Sequence, residues 1–499
     1  MSSVTHHAPP RATSMIESLR GLGYSPATAL ADIIDNSVSA GAQEVRVLFQ
    51  WAGAASSIAI VDDGRGMTPP ELLSAMRLGE RSPLDARSSD DLGRFGLGLK
   101  TASFSQCRRL TVASSNQGEM HSLRWDLDAI ARSPGDGWYL QGGQAPESSV
   151  DMALLRPTAP GTVVLWAELD RIVTPGFKEQ DFLDLIDSVQ VHLEMVFHRY
   201  LSGSGRRLRL LINGRELRPW DPFLQSHPAT WSSPEAKLPS PAGLVVVQCH
   251  VLPHRDRLEG NLHDRAAGPE GWAAQQGFYV YRNERLLVAG SWLGLGRPRA
   301  WSKEEAHRLA RIRVDIPNTA DSDWRIDIRK SMARPPVVLR EHLTRLAEDT
   351  RERARRVFAT RGVPASIAGK KEVLQAWRAE HFKGGMRYRI DEAHPAVRLV
   401  LEQCGDLAPD VRTMLRVIEE TIPVQRIWLD TTEARETPRT GFSGEPPQAV
   451  VEVLKTLFKN MVQRKGMSPE EARERLRSSE PFNMHPQLVD QLGEHQEGG

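Results

Sequence analysis

Cysteine is scarce: Cys107, Cys249 and Cys404 are the three in 499 residues, far apart and without CxxC spacing. That pattern argues against a disulfide framework and a zinc site and fits a reducing cytoplasm. Long apolar runs are also missing. None approaches the roughly 18 residues of a membrane-spanning helix, and no secretory leader pattern opens the chain. A cytoplasmic location without membrane contact is expected, which disfavours a membrane sensor kinase. Charge of either sign is not in excess. The formal net charge is +1, so no global field draws the chain to nucleic acid or lipid. What remains is ordinary for a globular chain, 40% hydrophobic and 25% charged, with length for about three domains.

One stretch stands out, Ala27–Ser39 (ATALADIIDNSVS). Ser25 is a good N-cap and Pro26 suits the first helical position. Leu30, Ile33, Ile34 and Val38 form an apolar stripe at helical spacing. Asp32 and Asn36, four residues apart, share a face away from that stripe. A carboxylate can orient or deprotonate water, and an amide oxygen can bind Mg²⁺. By itself the stretch reads first as a half-buried helix with a solvated polar side.

Two glycine-punctuated stretches change that reading. In Ile58–Met67 (IAIVDDGRGM) a buried strand runs into a turn, with Asp62 at the strand end. In Gly93–Lys100 (GRFGLGLK) three glycines permit close backbone approach to a ligand, and a helix follows whose free N–H groups suit a phosphate. The second is not a Walker A loop, because Leu99 intervenes before Lys100-Thr101.

In this order the three stretches resemble the N box, DxGxGM box and GxxGxG box of the GHKL ATPase superfamily (gyrase B, ATP-driven heat-shock chaperones, histidine kinases, MutL). The phrases DNSVSAGA, GRFGLGLKTASF, GTVVLW and GFYVYRNERLL look most like MORC-type ATPases and their bacterial relatives. The resemblance runs from Ser14 to about Arg334. It implies an α+β fold: a Bergerat ATP-binding α/β sandwich, a ribosomal S5-like α/β transducer domain and a mainly helical C-terminal region. It also implies the cofactors ATP and Mg²⁺. Asn36 would hold Mg²⁺. Asp62 would accept the adenine amino group, with Met67 near the base, Gly64 and Gly66 keeping that wall open, and Thr162 backing up Asp62. Gly93, Phe95, Gly96, Leu97, Gly98, Leu99 and Lys100 would surround the phosphates. The family's general base is usually Glu, and here Asp32 takes its place. The shorter side chain points to slow hydrolysis, since misplacement near ~1 Å costs on the order of 100-fold. Asp35, about 100° round the helix from Asn36, ranks second as base. A transducer lysine at the γ-phosphate is implied too. Lys330 is the candidate, in Trp324–Ser331 (WRIDIRKS), and Lys303 the weaker alternative.

The expected organisation is a polar arm over 1–12, the ATP-binding domain over 13–172, the transducer over 173–336 and the helical region over 337–499. An ATP lid is expected between Gly79 and Asp91. A strand over 207–213 is assigned to the second domain. Between Arg340 and Arg389 there are thirteen Lys and Arg against six Asp and Glu. Arg351, Arg353, Arg355, Arg356, Lys370 and Lys371 fall here, interleaved with Trp377, Phe382 and Tyr388. Such a stretch can track a DNA backbone or form a solvated helix face. The combined expectation is an Mg²⁺-dependent ATPase that dimerises on ATP binding and acts on DNA. The resemblance further implies a phage-defence or restriction-like setting with helicase or endonuclease partners. A heat-shock-type chaperone with a protein client, and an ATP-gated binding module with little hydrolysis, are the alternatives.

Overall fold

Val45, Val47 and Phe49 alternate with Arg46 and Leu48, and this period-two pattern builds the first strand, β1 (Glu44–Gln50). β2 (Ser57–Asp62) is buried along almost its whole length and pairs antiparallel with β1. The computed structural model describes residues 10–80, 98–133, 137–142, 159–203, 207–321, 323–327, 330, 332–359, 374–382, 385–427, 448–479 and 482–493. Chain contacts divide it into two units, Met1–Ala359 and Thr360–Gly499.

The first unit holds two sheets. The larger adds β3 (Arg109–Asn116), β4 (Glu119–Asp126), β5 (Gln141–Gly142), β6 (Gly161–Ala167), β7 (Arg209–Ile212) and β8 (Arg215–Glu216). Its order is β5-β4-β3-β6-β2-β1-β7-β8. One face is covered by α1 (Ala12–Arg20), α2 (Pro26–Ser39), α4 (Gly98–Phe104) and α6 (Glu179–Val196), whose apolar residues share one core with the strands. Two short helices, α3 (Pro69–Met76) and α5 (Leu127–Arg132), and a short α7 (His198–Ser202) complete this half.

The strand expected over 207–213 belongs to this sheet, not to the second. β7 pairs parallel with β1, Val45 opposite Leu210 and Val47 opposite Ile212. β6 and β7 therefore run in the same direction with α6 as their crossover, and Leu208, Leu210 and Ile212 complete the apolar layer begun by β1. A buried alternating strand suits either sheet by pattern alone, and only pairing decides its place.

The second sheet comprises β9 (Trp231–Ser232), β10 (Ala236–Ser240), β11 (Gly243–Val251), β12 (Gly277–Arg282), β13 (Arg285–Ser291) and β14 (Ala310–Ile316). Its order is β10-β11-β14-β12-β13, with β9 beside β11 and a short α8 (Leu262–Ala267) in the β11–β12 connection. The long α9 (Val337–Ala359) lies on it, burying Leu339, Leu343, Ala347 and Ala354 in the core of β11 and β14. The break expected at 336/337 is thus displaced to 359/360. Pro335 and Pro336 mark the start of a helix and not the end of a folded unit, because the apolar stripe of α9 has its partner surface before the prolines.

The second unit contains α10 (Pro395–Gln403), α11 (Ala408–Glu420), α12 (Gln448–Gln463), α13 (Pro469–Arg477) and α14 (Pro486–Asp490). It is mainly helical, as expected, and it also carries an antiparallel hairpin, β15 (Trp377–Phe382) with β16 (Gly385–Ile390). Glu419 on α11 ties the two elements, accepting from Arg389 at 2.5 Å and from the Ile390 amide at 2.8 Å.

A fragment ending at residue 359 is expected to unfold cooperatively in urea, whereas one ending at 336 exposes the α9 seat and aggregates or melts broadly. Leu343→Ala in the full chain should lower stability by about 2–5 kcal/mol, read from the same denaturation curves.

Candidate functional site

The site is built on α2. Ser25 and Thr28 form a reciprocal capping box, Pro26 occupies the first turn, and Leu30, Ile33, Ile34 and Val38 are all buried. The helix is therefore held from its start and along its apolar face. Asn36 is exposed. Asp32 is buried, in contrast to the solvated carboxylate that its helical face suggests. Tyr24 and Lys330 cover it: the Tyr24 hydroxyl donates to Asp32 Oδ2 at 2.9 Å, and Lys330 Nζ donates to Asp32 Oδ1 at 3.0 Å.

Lys330 also donates to Asp35 Oδ2 at 2.5 Å, and Arg285 Nε donates to Asp35 Oδ1 at 2.8 Å. Asp35 is 1% exposed. Burial by itself raises a carboxyl pKa, but the charges and hydrogen bonds of Arg285 and Lys330 outweigh it and hold Asp35 below the usual carboxylate range. The geometry pairs Asp35 with two cations, and Asp32 with one cation and one neutral donor. It also separates the two lysines. Lys303 donates to the Ala274 carbonyl, while Lys330 reaches a carboxylate 298 residues away in sequence. Lys330 has φ +52°, the left-handed region that a non-glycine residue seldom adopts. Its amide donates to the Asp327 carbonyl at 3.0 Å, and Asp327 Oδ1 accepts from the Met332 amide at 2.9 Å. The turn pins the backbone and projects the ammonium onto α2.

A second group of residues lies at the end of β2. Ser37 Oγ donates to Asp62 Oδ2 at 2.8 Å, and the Gly64 amide donates to Asp62 Oδ1 at 2.9 Å. Burial pushes the Asp62 carboxyl above the usual carboxylate range, against the lowering effect of these bonds. Asp62 lies directly opposite Thr162 across the β2–β6 pair. Thr162 Oγ1 is 3.1 Å from Ser114 Oγ, which in turn accepts from the Met67 amide at 2.8 Å. The turn after Asp62 depends on glycine. A Cβ on Gly66, at φ +67°, would lie 1.9 Å from the Ser115 carbonyl oxygen, and one on Gly64 would lie 2.9 Å from Asp62 Oδ1.

The phosphate-side residues divide. Gly93, Phe95, Gly96 and Leu97, with the expected lid beyond Glu80, lie outside the described residues. Gly98 and Leu99 open α4. Lys100 is buried, and its side chain donates to the Ala75 carbonyl at 2.9 Å, near the C-terminus of α3, a contact that links α3 to α4. Among the described residues no group of three or more His, Cys, Asp and Glu is placed to hold a metal ion. The donor available to Mg²⁺ is the Asn36 amide oxygen, which suits an ion that takes one or two protein ligands and completes its shell with phosphate and water.

The basic stretch is largely committed within the fold. The Arg351 guanidinium stands 4.7 Å from the ring centres of both Trp292 and Trp301, and Arg353 stands 4.0 Å from Trp231. Arg356 pairs with Glu352 and Arg389 with Glu419. Lys370 and Lys371 lie outside the described residues. The excess charge therefore overstates what is free for a phosphate backbone.

Sequence reasoning misses Tyr24, Ser37, Ser114 and Arg285. Ser37 carries a signal, since it directly follows Asn36 in the Asp35-Asn36-Ser37 run. Arg285 lies in a phrase that carries the family likeness, but nothing in the phrase names its partner.

Gly66→Ala should be destabilised by about 1–3 kcal/mol in urea unfolding, because the turn can accept neither the Cβ nor its φ.

Residues 24–162 match the family described as histidine kinase-, DNA gyrase B- and HSP90-like ATPase. The chain is 25% identical to the ATPase morc-1 of Caenorhabditis elegans, covering 39% of this chain and 27% of that protein. It is 29% identical to the DNA mismatch repair protein MutL of a Bradyrhizobium species and 34% identical to that of Paramagnetospirillum magneticum, each covering 22% of this chain and 18% of the relative. The chain thus spans less than a third of the length of these relatives. No helix among the described residues is long and apolar enough to cross a membrane. The matched boxes, their place on α2 and β2, and these likenesses agree, and residues 24–162 form a GHKL ATPase domain in a chain that resembles MORC-type ATPases.

Proposed function

We propose that this chain binds ATP with Mg²⁺, hydrolyses it slowly, and uses the bound nucleotide to switch between open and dimeric states on DNA. The observation that carries the reading is the Lys330 ammonium on Asp32, a contact between the nucleotide helix and a residue 298 positions further along the chain.

The roles are those the resemblance implies for these residues. Asp62, aided by Thr162, receives the adenine amino group, with Gly64, Gly66 and Met67 forming the adjacent wall. The Gly93–Leu99 run and the start of α4 receive the phosphates. Asn36 holds Mg²⁺, which when bound neutralises phosphate charge. Asp32 orients and deprotonates the attacking water, with Tyr24 fixing one of its oxygens. Lys330 moves from Asp32 to the terminal phosphate, which both frees the base and offsets charge developing in phosphoryl transfer. One cation thus serves two anions in turn, so the second sheet can sense which nucleotide is present.

The likeness to MORC and MutL proteins supports a DNA-related client over an unfolded protein. The partnering of Arg351, Arg353 and Arg389 makes the rest of the 340–389 stretch, with Arg355 and the lysines, the DNA candidate. The resemblance to bacterial MORC-like ATPases extends the proposal to a phage-defence or restriction-like system with helicase or endonuclease partners. The short Asp32 side chain, held by two donors, favours slow turnover and keeps an ATP-gated binding module as the second reading.

Steady-state hydrolysis with and without duplex DNA tests this. The expected outcome is slow turnover, raised by DNA and reduced at least about 100-fold in Asp32→Asn. Tight ATP binding without turnover in the parent would leave the gated module. Nucleotide affinity should also fall as the pH is lowered, starting above the range in which a solvated carboxylate takes up its proton. Asp62 gains its proton at a higher pH than a solvated carboxylate and then loses acceptor capacity toward the base. Calorimetric titration across that range, with Asp62→Asn binding weakly throughout, checks the assignment. A flat parental profile would remove Asp62 from the adenine site.

A further inference from the structure

Asp35 and Arg285 form the most buried ion pair of the site, and the mechanism above gives neither a role. The two side chains are 2% and 5% exposed. Arg285 is fixed on three sides: Nε on Asp35 Oδ1, a second nitrogen on the Leu286 carbonyl, and its cation 5.0 Å from the centre of the Phe197 ring. Lys330 is held differently. It comes from a turn, and its one ammonium serves both Asp32 and Asp35.

On α2 two carboxylates meet two cations, and Asp327 is a further carboxylate that acts on Tyr24. Asp32 and Asp35 are negative, Lys330 and Arg285 positive. Tyr24 is a neutral donor, its pKa raised by burial and then by the Asp32 charge. His192 on α6, near Arg285, is neutral, since burial and then the Arg285 charge lower its pKa to about 4. If Lys330 leaves for a terminal phosphate, one carboxylate released is Asp32, which then faces the reacting water. The other is Asp35, which is inside the protein. An ionised carboxylate left there without a partner is strongly unfavourable, and that cost would hold Lys330 back.

We propose that Arg285 is a positioning residue: by keeping Asp35 neutralised at all times, it lets Lys330 pass between the α2 carboxylates and the terminal phosphate. The inference rests on the nucleotide reading above and adds the condition under which its lysine can move. Arg285 need not touch nucleotide. It acts through Asp35 on the resting hold of Lys330.

The test is calorimetric binding of ADP and of a non-hydrolysable ATP analogue, each with Mg²⁺, to the full chain. The parent, Arg285→Gln, Arg285→Lys and the double variant Arg285→Gln with Asp35→Asn are compared. The parent should prefer the analogue. In Arg285→Gln that preference should fall by about tenfold or more while ADP affinity stays put, because ADP offers no terminal phosphate to draw Lys330 away. The double variant should recover the preference, since no charge is left to orphan, and Arg285→Lys should recover part of it. Equal weakening of both nucleotides without rescue would indicate a merely structural pair and overturn the proposal. A parent that binds neither nucleotide would overturn the ATP reading and the inference with it. A parent that binds both without preference would remove the lysine transfer and the inference. A parent and Arg285→Gln with the same preference would overturn the inference alone. Should Arg285→Gln fail to fold, Arg285→Lys and the double variant decide: a preference below the parent's in Arg285→Lys that returns in the double variant supports the proposal, and equal preference in the parent and both variants rejects it.

Discussion

A single ammonium group between two carboxylates joins the halves of the first unit chemically. Lys330, whose own backbone is in the left-handed region at φ +52°, reaches Asp32 and Asp35 on α2. Both carboxylates are buried, and each is paired with a cation. A buried ion pair contributes little net stability, so the contact defines position more than it adds stability.

The adenine-side group works by the opposite logic. Asp62 is held by neutral donors, Ser37 and the Gly64 amide, and no ion pair to it is found among the described residues. Its carboxylate is consequently under-compensated and its pKa is raised by burial. A buried acceptor in that condition gains from an incoming N–H donor, which suits recognition of an exocyclic amine. One helix thus serves two kinds of carboxylate: its own Asp32 and Asp35, each paired with a cation, and Asp62, which accepts from Ser37.

Much of this was legible in the sequence because its causes are local. The Ser25 cap, Pro26, the apolar stripe of α2 and the glycine turn after Asp62 are short-range features, and each is found where the residues suggest. Arginine-rich segments were less informative. Arg351 and Arg353 read as free charge along a helix, yet tryptophans from distant elements receive them. The hairpin of β15 and β16 was hidden inside the same basic stretch, although two alternating runs flank a glycine pair there.

The sequence by itself determined the secondary elements of the nucleotide half, the residue types of the site and their order along the chain, since caps, periodicity and glycine turns act over a few residues. Tertiary structure alone decided that β7 completes the first sheet, that α9 belongs with the second, that Lys100 links α3 to α4, and that Lys330 and Arg285 meet α2. Those contacts join residues 250 and 298 positions apart. No local pattern encodes them, because a cation's partner is set by which surfaces pack together, and that choice is made by the whole core.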